Sequence, residues 1–256
     1  MDKIDLSQKI LFFSDIDDTL IQTYRKTDFK REAILWGVTK DEEPISYIYK
    51  GTKKWLDVMV QSRDISFIPT TARNLDSYKR TNFYRDSRYS SKIDIIILNF
   101  GSEILIKGKI EKKWKKIIKK RYNSLSKPID KVYKKSIKLI KNRYEESHGI
   151  VIKIIDNYYI SIYNKKYRED YQKNIELELI LKEFISDEYY LHRNDSSFAI
   201  LPKFLNKQYA VDYIIKKYNP LLVLGAGDNI SDLDFMRLGD FAIMPQKSQV
   251  MKFKSS

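Results

Sequence analysis

Ile10-Leu11-Phe12-Phe13-Ser14-Asp15-Ile16-Asp17-Asp18-Thr19-Leu20 decides the fold. It opens as an apolar run of large side chains, the pattern of a strand buried on both faces in a parallel sheet. It then turns to three carboxylates within four residues. Carboxylates at the end of a buried strand are costly unless a cation or hydrogen-bond donors meet them. Ligands of open α/β sheets bind beyond the carboxyl ends of the strands, so the position suits chemistry. Asp15 and Asp17, two apart, share one face of an extended chain. The stretch also reads as an acidic loop capping the next helix, with Asp18 or Thr19 at the N-cap. The rest of the chain decides between the two.

Outward from this stretch, Ala33–Val38 and Ile45–Tyr49 flank Thr39-Lys40-Asp41-Glu42-Glu43-Pro44 and read as a hairpin, placed where a flap could cover a site. Gly51–Ser62 reads as a helix with Trp55, Val58 and Met59 on its apolar face. Asp64–Pro69 is a second strand, ending in Thr70-Thr71-Ala72-Arg73-Asn74. Hydroxyls at a strand end before a helix can donate to phosphate beside the free N–H groups of that helix, or simply cap it. A helix is expected over Asn74–Tyr84 and a third strand over Ile93–Phe100.

The character changes from Ser102. A small hairpin over Ser102–Ile110 precedes two amphipathic helices. Trp114, Ile117, Ile118, Tyr122 and Leu125 mark the first; Ile129, Val132, Tyr133, Ile137, Ile140 and Tyr144 mark the second. Such stripes are packing surface. A β-hairpin over Gly149–Ile155 and Tyr158–Tyr163 turns at Asp156-Asn157. A helix over Arg168–Ser186 and strands at Tyr189–His192 and Phe198–Leu201 follow. Then βα alternation resumes: a helix over Asn206–Tyr218, a strand at Leu221–Leu224, the loop Gly225-Ala226-Gly227-Asp228-Asn229-Ile230-Ser231-Asp232, a helix over Ser231–Leu238 and a strand at Phe241–Met244. A parallel sheet interrupted once by a small antiparallel α+β insertion fits this order.

Composition bounds the rest. The 256 residues fit one large domain or a domain with an insertion, and 43% hydrophobic residues support a core. Absence of cysteine excludes disulfides and thiolate metal sites and fits a reducing compartment. Met1–Asp5 does not begin a signal peptide, and no apolar run approaches the ~20 residues that span a bilayer. The expectation is a soluble cytoplasmic protein with no membrane contact. The net charge of +14 is concentrated: Lys107–Ser147 holds 16 Lys/Arg against four acids. Such a patch can meet nucleic acid, anionic lipid or an anionic substrate, or be a solvated helix face.

Four separated signals line up: Asp15-Ile16-Asp17-Asp18-Thr19 after the first strand, Thr71-Ala72-Arg73 after the second, Lys207 opening a helix after the insertion, and Gly227-Asp228-Asn229-Ile230-Ser231-Asp232 after a late strand. Together they resemble the haloacid dehalogenase superfamily of phosphohydrolases, with its DxDxT, Thr/Ser, Lys and GDxxxD motifs. The position of the insertion resembles the C2-capped branch, which includes sucrose-phosphate phosphatases and Cof-type sugar phosphatases. The implied fold is α/β: a Rossmann-like parallel-sheet core over 1–105 and 198–256, with an inserted α+β cap over 106–197. There are departures. Ala72 stands where Gly is usual, Asp18 where Gly often stands, and Ser231 where capped sugar phosphatases often have Asn.

The resemblance implies a phosphoric monoester hydrolase. Asp15 would attack phosphorus and form an aspartyl-phosphate. Asp17 would protonate the leaving oxygen and then activate water. Mg²⁺ would be held by Asp15, the Asp17 carbonyl and Asp228, with Asp232 binding it through water or orienting Lys207. Thr71 and Lys207 would hold the phosphoryl oxygens. Lys203 and Thr70 are rivals to Lys207 and Thr71. The expected substrate is a small phosphorylated metabolite such as a sugar phosphate. The alternatives are a phosphomutase of the same branch and a nucleic-acid-associated protein or end phosphatase using the basic cap. Tyr158–Lys166 and His192–Ser197 are candidate substrate-reading segments. His148 and His192 have no ligand partner at useful spacing and read as structural or surface residues.

Overall fold

Leu11, Phe12 and Phe13 are fully buried, as the unbroken apolar run requires. Their strand, Ile10–Ser14, lies inside a parallel sheet ordered Phe241–Ile243, Leu222–Ala226, Ile10–Ser14, Ile65–Pro69. Ser14 pairs with both Ala226 and Pro69, so three strands end level and their following loops start side by side. The computed structural model describes residues 4–144, 147–194 and 196–252. Glu145 and Glu146 of the basic stretch and Asp195 of the His192–Ser197 segment lie outside these.

Ile95–Leu98 continues the sheet through a parallel bridge from Thr70 to Ile97. It also pairs with Glu103–Ile106, which pairs with Lys109–Ile110. The expected Ser102–Ile110 hairpin is thus an extension of a core strand. It turns at Lys107 and Gly108, φ 49° and 70°, the left-handed pair that a tight hairpin needs.

Helix Lys50–Gln61 covers one face with Leu56 and Val60 buried and Trp55 and Met59 packed beside them. Val58 is 66% exposed, so the true stripe is rotated from the expected Trp55/Val58/Met59 face. The helix expected over Asn74–Tyr84 is three short ones, Leu75–Lys79, Asn82–Arg85 and Ser87–Ser90. Asn74 caps the first and Asp86 the last, accepting the Ser77 and Arg88 N–H groups. Side chains that bond the backbone locally compete with a continuous helix. The flap is a three-stranded antiparallel sheet, Gln22–Thr23, Pro44–Tyr49 and Ala33–Val38, seated on the core by Trp36 and Ile48.

The chain divides into two compact units, one running up to Lys115 and again from Asn206, the other Lys116–Leu205. The insertion is therefore offset from 106–197. The reason is pairing: Ser197–Pro202 lies between Tyr189–Asn194 and Tyr159–Asn164 in the inserted sheet, with Ile150–Ile155 at the far edge. The sheet is antiparallel, and its hairpin turns at Asp156 and Asn157, φ 47° and 59°. Ile160, Ile162, Phe198 and Ile200 pack against Val132 and Ile140 of helix Ile129–Arg143 and Leu177 and Leu181 of helix Tyr171–Lys182. Asp170 caps the latter by accepting the Lys173 N–H, which starts it later than the expected Arg168. Among the described residues no helix is long and apolar enough to cross a membrane.

Candidate active site

Backbone bonds carry the core sheet past its last strand residues. The Asp15 N–H donates to the Ala226 carbonyl, the Thr70 N–H to Ser14 and the Thr71 N–H to Ile97, at 2.8, 2.8 and 2.9 Å. Asp15 leaves the sheet with its backbone fixed. The chain then closes on itself, with the Leu20 and Ile21 N–H groups donating to the Ile16 carbonyl. Asp18 occupies the left-handed region, φ 60°, which glycine favours and Asp tolerates. Its carboxylate pairs with Lys26 at 2.6 Å.

The second loop buries Thr70 and Thr71 completely. Thr70 Oγ1 commits its proton to the Ile68 carbonyl of its own strand, whereas Thr71 Oγ1 accepts the Arg73 N–H at 3.1 Å. The late loop depends on Gly227. A Cβ there would lie 2.4 Å from the Asp232 Cβ, so only glycine lets Asp232 fold back against the strand end. Asp232 Oδ2 accepts the Asn229 N–H, and the Asn229 side chain accepts the Ser231 N–H and hydroxyl. Ser231 therefore belongs to a local cap.

Lys207 is the first residue of helix Lys207–Tyr218, with Asn206 as N-cap accepting the Gln208 N–H. The turn Asn99–Gly101 packs against this start. Gly101 has φ 94°, and a Cβ on it would meet the Asn206 carbonyl oxygen at 2.8 Å. Lys203, the rival lysine, lies in the inserted unit, where its N–H donates to the Glu188 carbonyl.

These loops bring one ammonium among three carboxylates. Lys207 Nζ donates to Asp15 Oδ1 at 2.6 Å and to Asp232 Oδ1 at 2.8 Å. Thr19 Oγ1 lies 3.2 Å from both Asp15 Oδ2 and Asp228 Oδ1, and its single proton can serve one at a time. All four charged side chains are buried. Burial pushes the Asp15 carboxyl well up; Lys207 opposes this, and Asp232, Asp228 and Asp17 add to it. Burial likewise raises Asp228 to about 7, with Asp232 and Asp18 contributing. Burial works against the Lys207 charge, but Asp15 and Asp232 outweigh it and raise its pKa.

Asp17 stands apart from this cluster. Arg73 grips it with two bonds of 2.7 Å, Nε to Oδ2 and Nη2 to Oδ1. Burial alone would raise Asp17, yet the guanidinium holds it below the usual carboxylate range. Arg73 and Thr19 are the residues that sequence reading passed over. Arg73 stood inside the Thr71-Ala72-Arg73 motif, and Thr19 inside the opening one, but spacing does not encode their partners.

Asp15, Asp228 and Asp232 each offer a carboxylate oxygen, all within 4.8 Å of one another. Three buried carboxylates exceed one ammonium, and hard oxygen donors with surplus negative charge suit a divalent cation such as Mg²⁺. The residues present fit such an ion.

The chain matches the family described as sucrose-6F-phosphate phosphohydrolase over residues 8–252. No curated protein matches it in sequence. Among solved structures it is similar to the sucrose-phosphatase of Synechocystis sp. PCC6803 in complex with sucrose and phosphate, with a TM-score of 0.58 and 14% identity over 98% of this chain and 87% of that one. It is similar to the C-terminal domain of the Candida albicans trehalose-6-phosphate phosphatase, with a TM-score of 0.58 and 17% identity over 90% and 74%. It is also similar to an IMP-nucleotidase of Plasmodium falciparum, with a TM-score of 0.55 and 12% identity over 95% and 64%. At these identities the structural likenesses establish the fold: an α/β core with an inserted cap.

Proposed function

The chain belongs to the sucrose-6F-phosphate phosphohydrolase family of the haloacid dehalogenase superfamily, and on that premise we propose that it is a Mg²⁺-dependent phosphatase of small sugar phosphates working through an aspartyl-phosphate on Asp15. One observation carries the reading: buried Lys207 bridges Asp15 and Asp232 beside Asp228, at the level ends of parallel strands. A phosphate monoester is anionic and hydrolyses very slowly, so its site must combine positive charge with a placed nucleophile. The nucleotidase shares the fold, so the preference for sugar phosphates rests on the family and not on the likeness of structures.

In the first step an Asp15 oxygen forms a bond to phosphorus as the phosphorus–ester oxygen bond breaks, and the departing oxygen takes a proton from Asp17. In the second, water attacks the acyl phosphate and gives its proton to Asp17, and the bond to Asp15 breaks to release phosphate. Lys207 and Thr71 hold the equatorial phosphoryl oxygens. Thr19 steadies the Asp15 and Asp228 carboxylates. Asp232 orients the Lys207 ammonium. Mg²⁺, held by Asp15, the Asp17 carbonyl and Asp228, would supply the charge that lets a carboxylate approach a phosphate dianion. The Arg73 guanidinium favours the ionised form of Asp17, the form the second step uses; the first step starts from its protonated form.

A phosphate-release screen across sugar phosphates, nucleotides and phosphorylated nucleic-acid ends, with Mg²⁺, tests the reading. Sugar phosphates should be hydrolysed, and Asp15→Asn should lower the rate by at least about 10⁴-fold while keeping the fold. No release from any monoester overturns the proposal. Turnover confined to nucleic-acid ends, or isomerisation without net release, replaces it with one of the alternatives.

A further inference from the structure

Arg73 has two attachments that the phosphatase chemistry leaves unexplained. Its tip forks both oxygens of Asp17 at 2.7 Å, and its backbone N–H donates to Thr71 Oγ1 at 3.1 Å. A two-point fork fixes both the place and the plane of a carboxylate, which a single contact does not. The guanidinium is itself held: Nη1 donates to the Ser77 carbonyl at 3.3 Å, and Nη2 lies 3.4 Å from Ser46 Oγ of the flap. The Arg73 carbonyl accepts the Asn99 N–H at 2.9 Å, so the backbone cannot drift. One residue therefore ties Asp17 to the loop that carries Thr71.

We propose that Arg73 is a positioning residue for proton transfer: it sets the Asp17 carboxyl at a fixed offset from the Thr71 hydroxyl, so that a phosphoryl group held at Thr71 presents its ester oxygen to Asp17. The inference rests on the phosphatase reading and extends it to a residue that does not touch the reacting atoms. Ordinary surface ion pairs contribute little. This one is half-buried, joins residues 56 apart in sequence and engages the carboxylate that handles protons. General acid catalysis contributes about 10²–10⁴-fold and is lost when the donor is misplaced. It matters most for a poor leaving group, since an alkoxide needs a proton and a nitrophenolate does not.

The test compares Arg73→Ala and Arg73→Lys with the wild type on sucrose 6-phosphate and p-nitrophenyl phosphate. In single turnover, Arg73→Ala should slow release of the sugar by about 10²–10³-fold and release of nitrophenolate by less than about 10-fold, with substrate affinity little changed; this first step excludes the later attack of water, which also uses Asp17. Asp17→Asn should show the same skew. Arg73→Lys, which keeps the charge without the fork, should recover part of the sugar-ester rate, and it carries the test if the alanine variant does not fold. Equal losses on both esters, or a loss confined to substrate affinity, overturn the proposal and leave the phosphatase reading standing. A wild type that hydrolyses neither ester overturns both.

Discussion

At the strand ends of the core unit, Asp15, Lys207, Asp228 and Asp232 are all buried as ionisable groups, whereas the inserted unit buries neutral amides and leaves its lysines in solvent. There Asn164 Nδ2 donates to Tyr144 Oη and Asn174 Oδ1, at 3.3 and 3.2 Å. Asn174 Nδ2 donates to the Tyr167 and Asp170 carbonyls, at 3.0 and 2.7 Å. Asn164 Oδ1 accepts the Tyr167 N–H. That network closes on itself, as a structural polar core should. The core cluster does not close: three carboxylates share one ammonium, and Asp228 is pushed to about 7. Buried charge left over is the mark of a site that a cation and an anionic substrate complete. The basic stretch of the inserted unit keeps Lys119, Lys120, Lys134 and Lys138 exposed, opposite its buried packing stripes.

The largest effect should come from removing the ammonium of the core cluster. Lys207→Met leaves Asp15 and Asp232 uncompensated and should destabilise the protein by about 3–5 kcal/mol in urea unfolding. A loss below about 1 kcal/mol would mean that the cluster is not held by that ammonium.

Next comes pH. The Asp228 carboxyl is raised from 3.8 to about 7 in the folded protein. Between those values the folded chain keeps a proton that the unfolded chain has lost, so the metal-free fold weakens as pH rises through this window. Asp228→Asn removes that term. Its stability relative to metal-free wild type should therefore improve with pH from about 4 to 7, by on the order of 2–4 kcal/mol, and then level off. Millimolar Mg²⁺ should reverse the order by stabilising wild type and not the variant. A difference that is flat with pH contradicts the assignment.

The smallest effect belongs to the neutral network. Asn174→Ala should cost about 1–3 kcal/mol, with no dependence on pH between 5 and 8 or on Mg²⁺. Sensitivity to either would show that the inserted unit is not the charge-neutral partner in this comparison.

Much of the fold was legible because it follows from local pattern. The apolar run of Ile10–Ser14, the βα alternation on either side of the insertion and the Asp156-Asn157 turn all express periodicity or turn chemistry. What failed were features set by competition. Asn74 and Asp86 cap short helices where one long helix was expected, and Val58 faces solvent because Leu56 and Val60 take the buried stripe. The edges of the insertion shifted because strand pairing, not composition, assigns Ser197–Pro202 and Glu103–Ile106 to their sheets. For the site, motif spacing marked Asp15, Thr71, Lys207, Asp228 and Asp232 at element ends, and Lys207 does lie between Asp15 and Asp232. Pairings across long sequence separations were out of reach: Arg73 with Asp17, and Thr19 with Asp228, which lies 209 residues away.

In the proposed reaction Asp15 carries the phosphoryl group between the two steps. A single-turnover reaction with ³²P-labelled sugar phosphate and Mg²⁺, quenched in acid, tests it most directly. Label should be bound to the protein through an alkali-labile bond, more persistent in Asp17→Asn when p-nitrophenyl phosphate is the donor, and absent in Asp15→Asn. Phosphate released with no labelled protein at any time, or label that survives in Asp15→Asn, would contradict it.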